Sequence, residues 1–232
     1  MKIIRIATSL LALGACFIWL VYRPWAMNWG ATDVEITRAM PGDSIIAEAT
    51  FNATRAVTVN AAPEHIWPWL LQFGYKRAGL YSYDALDNDG IPSAEHIIPE
   101  FQNLRLGDSI PIGPGFFIAV EVLEHGREML LVFPDWAEAT WAWGLYPEGP
   151  NRTRLVTRLR GRPRGWTRIF VDLGEIFPMR KSMLGIKRRA ERLALQQSQP
   201  DGCLLSRSKS FRLTLRLAEI GRRLLNVWPR FP

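Results

Sequence analysis

The chain has 232 residues, 48% of them apolar, with 10 Trp, 2 Cys and a formal net charge of +7. That describes one large domain, or a domain with appendages, able to build a sizeable core. The lone cysteine pair, with no CxxC and no HExxH, argues against a disulfide framework and against a zinc site, and the placement of charge argues against nucleic acid: from Ser206 onward Arg207, Lys209, Arg212, Arg216, Arg222, Arg223 and Arg230 face one anion, Glu219, so the body of the chain is near neutral.

The first element is membrane-like. Ile6 to Tyr22 (IATSLLALGACFIWLVY) carries no charge, close to the ~20 residues a spanning helix needs. Ile3 and Ile4 extend it, Lys2 and Arg5 can snorkel, and Trp19, Tyr22 and Trp25 fall where an interfacial aromatic belt belongs. A cleaved signal peptide lacks a good small-residue site after the run. Leu13-Gly14-Ala15-Cys16 is similar to a lipobox, but FIWLVY follows instead of a polar tether. An uncleaved single-pass anchor through residues 3–22 fits best. Lys2 and Arg5 before the span put the N-terminus in the cytoplasm and the domain outside it.

The expected organisation is an anchor (1–25), a connecting segment (26–52), a folded domain (53–197) and a linker with a basic helix (198–232). Within the domain, Thr54 to Asn60 alternates as a strand. Pro63 to Gln72 opens with proline at a first helical position and carries Ile66, Trp67, Leu70 and Leu71 as a stripe. A short helix is expected around Ser82 to Leu86. From Asp108 the period becomes two: strands are predicted at Ser109 to Ile112, Phe116 to Glu124 (Ile118, Val120 and Val122 on one side), Glu128 to Phe133, Thr140 to Tyr146 and Thr153 to Arg160. They form an antiparallel meander with one apolar and one wetter face. Trp166 to Gln197 is one long helix with Phe170, Leu173, Phe177, Leu184 and Ile186 inward and Pro178 as a kink or restart. The fold class is α+β, a curved antiparallel sheet around a long C-terminal helix, with space between them for side chains or a ligand.

Trp29-Gly-Ala-Thr32, Pro41-Gly-Asp43, Thr54-Arg-Ala-Val-Thr-Val59, Trp67-Pro-Trp-Leu70, Tyr81-Ser-Tyr-Asp84, Ile98-Pro-Glu100, Gly107-Asp108, Thr140-Trp-Ala142, Arg152-Thr-Arg-Leu155 and the run from Met179 to Glu191 carry a resemblance. Together they resemble the START-like, helix-grip superfamily, also called SRPBCC or the polyketide cyclase/dehydrase group, over about Trp29 to Ala194. The resemblance implies a cavity for a hydrophobic small molecule more than it implies catalysis. It implies no cofactor and no metal.

Eight aromatics are the expected lining: Tyr81, Tyr83, Phe117, Phe133, Trp141, Trp143, Phe170 and Phe177. Tyr81, Tyr83 and Asp84 are the candidate chemical groups, since a Tyr–Asp pair can polarise a carbonyl; against that, Asp84 can serve as a helix cap or an arginine partner while the tyrosines pack. At least one of Tyr81 and Tyr83 is expected to border the cavity. His96, between Glu95 and Glu100, is a weaker acid/base or metal candidate, and the family pattern has Asp-Arg at Glu95-His96. His65 and His125 are expected at the surface. The tail, Phe211 to Trp228, has Leu213, Leu217, Ile220, Leu224 and Val227 at helical spacing between arginines. It reads as a helix that packs back on the domain, lies on an anionic bilayer through 211–228, or recruits a partner.

Overall fold

The computed structural model describes residues 2–198, with the side chains of residues 2, 3 and 136 left aside. The basic tail, the linker before it and Cys203 lie outside the described residues. Contacts divide the chain into a unit of Met1–Arg192 and a second of Leu193–Pro232; everything below concerns the first.

Helix α1 (Lys2–Phe17), a π-helical turn (Ile18–Tyr22) and α2 (Arg23–Met27) run on as one rod. Its apolar part, Ile4–Met27, is 24 residues long with a mean hydropathy of 2.0 and none of its most apolar stretch buried. At 1.5 Å per residue that is about 36 Å, enough for the roughly 30 Å of bilayer hydrocarbon. The rod's last turn is a different matter: Ala26 and Met27 are buried, and Met27 packs with Phe51 and Ala53. The segment expected to be a plain connection from residue 26 is therefore part of the core.

After α3 (Asp33–Thr37) come β1 (Phe51–Val59), α4 (Pro63–Gln72), α5 (Asp84–Asp87), β2 (Ser109–Gly113), β3 (Phe116–Glu124), β4 (Glu128–Val132), β5 (Ala139–Pro147) and β6 (Thr153–Gly161). The six strands form one antiparallel sheet in the order β1-β6-β5-β4-β3-β2. Two helices close it: α6 (Gly165–Leu173) and α7 (Ile176–Ser198). This is a helix-grip arrangement. The expected single long helix is in fact two, broken at Gly174 and Glu175, and Pro178 sits in the first turn of α7, where its missing N–H costs nothing. The break resets the helical phase. Ile176, Met179, Met183, Ile186 and Ala190 face the core, whereas Phe170 and Phe177, expected inward, are more than half exposed.

Strand alternation sorts the sheet's two faces. The inner face carries Ile118, Val120, Met129, Leu131, Trp141, Trp143, Leu145 and Leu155, all buried, against Ile66, Trp67, Leu70 and Phe73 of α4 and the turn that ends it. Phe73 packs edge-on to Trp141 at 5.3 Å, and Trp141 and Trp143 lie 5.2 Å apart. A buried tryptophan removes about 150–250 Å² from water, roughly 4–6 kcal/mol each before ordering costs. A bulge between Val120 and Val122 turns Val122 to the outer face, so the expected Ile118–Val120–Val122 alternation is interrupted.

The outer face is not wet, as alternation alone had implied. Residues 29–48 cross it as a strap. Met40 packs on Ala56, Leu130, Ala142 and Val156. Arg158, 3% exposed at its side chain, donates to Thr54 Oγ1, to the carbonyls of Glu35, Ile36 and Arg38 and to Asp43 Oδ2 at 2.7–2.9 Å. Arg154 forms a fork with both oxygens of Glu35 at 2.7 and 2.8 Å. Gly30 and Gly42, both at positive φ, let the strap lie flat: a Cβ would meet Ala56 O at 2.2 Å and Leu130 Cδ1 at 2.6 Å.

Candidate functional site

The aromatic wedge fills only half of the inner space. The other half, at the sheet end where β1 begins and β6 finishes, is a cavity of about 640 Å³. Phe51, Phe116, Phe133, Trp141 and Leu159 form its sheet wall, Phe73, Leu80, Ser82 and Asp87 one side, and Trp166, Phe170, Val171, Glu175, Met179 and Ser182 the helical side. The break at Gly174 that sets α6 off from α7 is what opens this space.

Of the eight aromatics expected to line a cavity, Phe133, Trp141 and Phe170 do so. Trp143 is fully buried in the filled half, and Phe117 and Phe177 are 50% and 54% exposed. Phe116 takes the place expected of Phe117, because it shares the parity of Ile118 and Val120. Trp141 is held in position by its own Nε1, which donates to Thr157 Oγ1 at 2.8 Å.

The stretch from Ala78 to Asn88 contributes in the opposite phase from that expected. Leu80, Ser82 and Asp87 reach the cavity; the tyrosines lie elsewhere. Tyr81 is buried at a positive φ of 55°, and its hydroxyl donates to Trp69 O at 3.0 Å. Burial pushes its phenol far up, with bonding to Gln72 and the nearby Arg189 and Arg77 only partly opposing this. Tyr81 borders a second, more polar hollow of about 470 Å³ beside α7. Tyr83 is 39% exposed, with Lys181 Nζ 3.8 Å from its ring centre. Asp84 accepts from Ser93 N at 3.1 Å and Ser93 Oγ at 2.5 Å. Its role is thus to fix the loop after α5, through a serine and not through the arginine or helix end expected. His96 is exposed, its backbone carbonyl accepting from Gln72 Nε2. His65 is partly buried, and His125, though exposed, packs its ring 5.6 Å from Trp67. Among the described residues no group of three or more His, Cys, Asp or Glu is placed to hold a metal ion.

The polar groups that do reach the cavity are ones the sequence did not single out. Arg55, 1% exposed on β1, donates to Ala26 O at 2.7 Å and lies 2.5 Å from Glu175 Oε2. Glu175 Oε1 is buried with no hydrogen-bond partner, as are Ser182 Oγ and Asp87 Oδ1, and all three residues line the cavity. Burial pushes the Glu175 carboxyl above its ordinary value, with Arg55 only partly offsetting it. Burial likewise raises Asp87 against the bonds it accepts from Tyr83 N and Ser82. A buried acceptor without a donor costs about 1–3 kcal/mol. These three atoms therefore form a polar patch that an incoming hydroxyl or amine would satisfy, within walls that are otherwise mostly apolar. Glu175 was invisible in the sequence because it read as one residue of an unbroken helix.

No family model and no curated protein matches the chain. Solved structures do. A conserved protein of unknown function, EF2215 from Enterococcus faecalis, aligns at 16% identity and TM-score 0.33, over 68% of this chain and 82% of that one. The self-sacrificing resistance protein CalC from Micromonospora echinospora aligns at 10% identity and TM-score 0.41, over 61% and 94%. A START superfamily protein from Mycobacterium smegmatis aligns at 18% identity and TM-score 0.36, over 61% and 98%.

Proposed function

We propose that this chain is a membrane-anchored binding protein for an apolar small molecule carrying at least one hydrogen-bond donor, held between the sheet and the α6–α7 pair, with no chemistry performed on it. The observation that carries the reading is the cavity of about 640 Å³ with its buried, partnerless Glu175, Ser182 and Asp87 oxygens. Its volume is in the ~300–1,000 Å³ range of pockets for drug-sized ligands. The lining is what a lipid- or polyketide-like molecule needs: aromatic walls for its body and a few fixed acceptors for its polar end.

The anchor reading rests on Ile4–Met27 and on where that rod ends. Ala26 and Met27 fill core space, Ala26 O accepts from Arg55, and Arg23 pairs with Asp172 at 3.0 Å. Cleavage of the apolar segment as a leader would remove these groups, so an uncleaved anchor accounts for them. Lys2 and Arg5 ahead of the span place the domain outside the cytoplasm.

A second reading, cyclase-type catalysis, has one observation in its favour: two carboxyls raised by burial, Glu175 and Asp87, line the same cavity. It would run on those residues and not on Tyr81, Tyr83 or Asp84.

The test uses the full chain in lipid nanodiscs and a dansyl-labelled undecanoic acid as probe, with empty nanodiscs as the blank. Wild type should give saturable blue-shifted emission. Ser182→Phe, which places a ring in the cavity, should abolish it while leaving the thermal midpoint equal or higher. Probe binding unchanged in a folded Ser182→Phe protein would reject the cavity as the binding site.

A further inference from the structure

Helix α6 is built inside out. Its one acidic residue, Asp172, is 8% exposed, while Trp166, Ile169 and Phe170 are 77%, 63% and 57% exposed. Spaced i, i+3, i+4, the three apolar residues make one face, and Phe177 adds to it a turn into α7 at 54% exposure. A helix on a water-facing surface presents the reverse pattern. Trp166 and Phe170 also line the cavity, so this apolar face forms the rim of its opening.

The same helix is fastened to the foot of the apolar rod. Arg23 Nε donates to Asp172 Oδ1 at 3.1 Å, and the Tyr22 hydroxyl donates to Leu173 O. Tyr22 stands between Trp19 and Trp25, the aromatics that mark the bilayer boundary on a spanning helix. Nine residues of α-helix are about 14 Å long. With its last turn held at the boundary, no part of α6 can stand farther than about 14 Å from it.

We infer that α6 lies in the headgroup region of the bilayer that holds the anchor, with Trp166, Ile169 and Phe170 in the lipid, so that the cavity opens toward the membrane and takes its ligand from there. The occupant of the exposed face is thus a phospholipid surface, continuous with the one around Ile4–Met27. Arg164 and Arg168, with side chains 80% and 53% exposed, flank the apolar face at the height of phosphate groups. The inference rests on the anchor reading but not on the identity of any ligand.

The experiment measures depth. In the full chain with Cys16 and Cys203 changed to serine, single cysteines at Ile169 (Ile169→Cys) and Trp166 (Trp166→Cys) carry a bimane label, and Asn151→Cys serves as the reference. Asn151 is exposed in the β5–β6 turn, at the sheet end opposite the cavity mouth and about 30 Å of strand away. The protein is placed in nanodiscs of phosphatidylcholine and phosphatidylglycerol. Lipid-borne doxyl groups should quench the labels at positions 169 and 166 several-fold more strongly than the label at 151, and aqueous iodide should quench in the opposite order. Iodide quenching at 169 and 166 equal to that at 151 would overturn the inference. So would protection from both quenchers, which would mean that protein covers the face, the tail of this chain or a partner. Failure of the full chain to enter nanodiscs would bring down the anchor reading with it. Doxyl quenching at α6 in a protein that does not bind the dansyl fatty acid would leave this inference standing and remove the ligand reading alone.

Discussion

The two faces of the sheet are buried in opposite ways. On the outer face each polar side chain that points into the strap meets a partner: Arg158 makes five bonds and Arg154 four, all at 2.7–2.9 Å. On the inner face, at the cavity, the oxygens of Glu175, Ser182 and Asp87 are buried and unpartnered. Buried polar groups are normally satisfied, and an unsatisfied one calls for an explanation. The strap face is therefore a structural surface whose polar groups serve the fold. The cavity face keeps free acceptors at an energetic cost that a bound molecule would offset.

The sharpest way to separate them is Arg158→Ala. It leaves Asp43 and three strap carbonyls without their donor, and loss of one member of a buried pair costs about 3–5 kcal/mol. Thermal unfolding should show that loss, with dansyl-probe affinity of the folded fraction unchanged; a variant that kept its stability and lost the probe would reverse the assignment of the faces. Gly42→Ala comes next. At φ +85° and 2.6 Å from Leu130 Cδ1, the added methyl should cost roughly 1–3 kcal/mol through strain and displacement of the strap, again without touching probe binding.

Acid acts on the strap too. Burial by itself would raise the Glu35 carboxyl, but the bonds from Arg154 and Thr32 outweigh it and hold the group below its ordinary value of 4.5. A depressed carboxylate contributes stability that is complete above the ordinary value and is lost as pH falls through the depressed one. Glu35→Gln should therefore lower the midpoint at neutral pH and flatten its decline below pH 4.5. An acid limb as steep as that of wild type would show that other groups control it. The smallest effect is expected at Tyr83, exposed and off the cavity: Tyr83→Phe should stay within about 0.5 kcal/mol in stability and bind the probe as wild type does. A clear loss of probe binding would return Tyr83 to the site.

Local rules were sufficient wherever neighbours in sequence are neighbours in space. Pro63–Gln72 and Phe116–Glu124 are helix and strand with the limits their periodicity dictates, the other meander strands differ from expectation only at their ends, and the apolar rod at the N-terminus is as plain in composition as in structure. Even Phe116 was within reach, since it shares the strand parity of Ile118 and Val120. The rest depended on distance along the chain. Arg154 meets Glu35 across 119 positions and Arg158 meets Asp43 across 115, so an alternating strand gave no sign that its polar side would be roofed over. The break at Gly174 and Glu175 is unmarked by proline, and it alone shifts the phase of everything after it. Glu175 then becomes a buried acceptor at the cavity, because the only cation near enough, Arg55, comes from β1 at the far end of the domain's chain. Periodicity carries the identity of an element and its inward side. Which polar group is left unpaired in the space between elements is decided only when the strap, the sheet and the two helices are packed together.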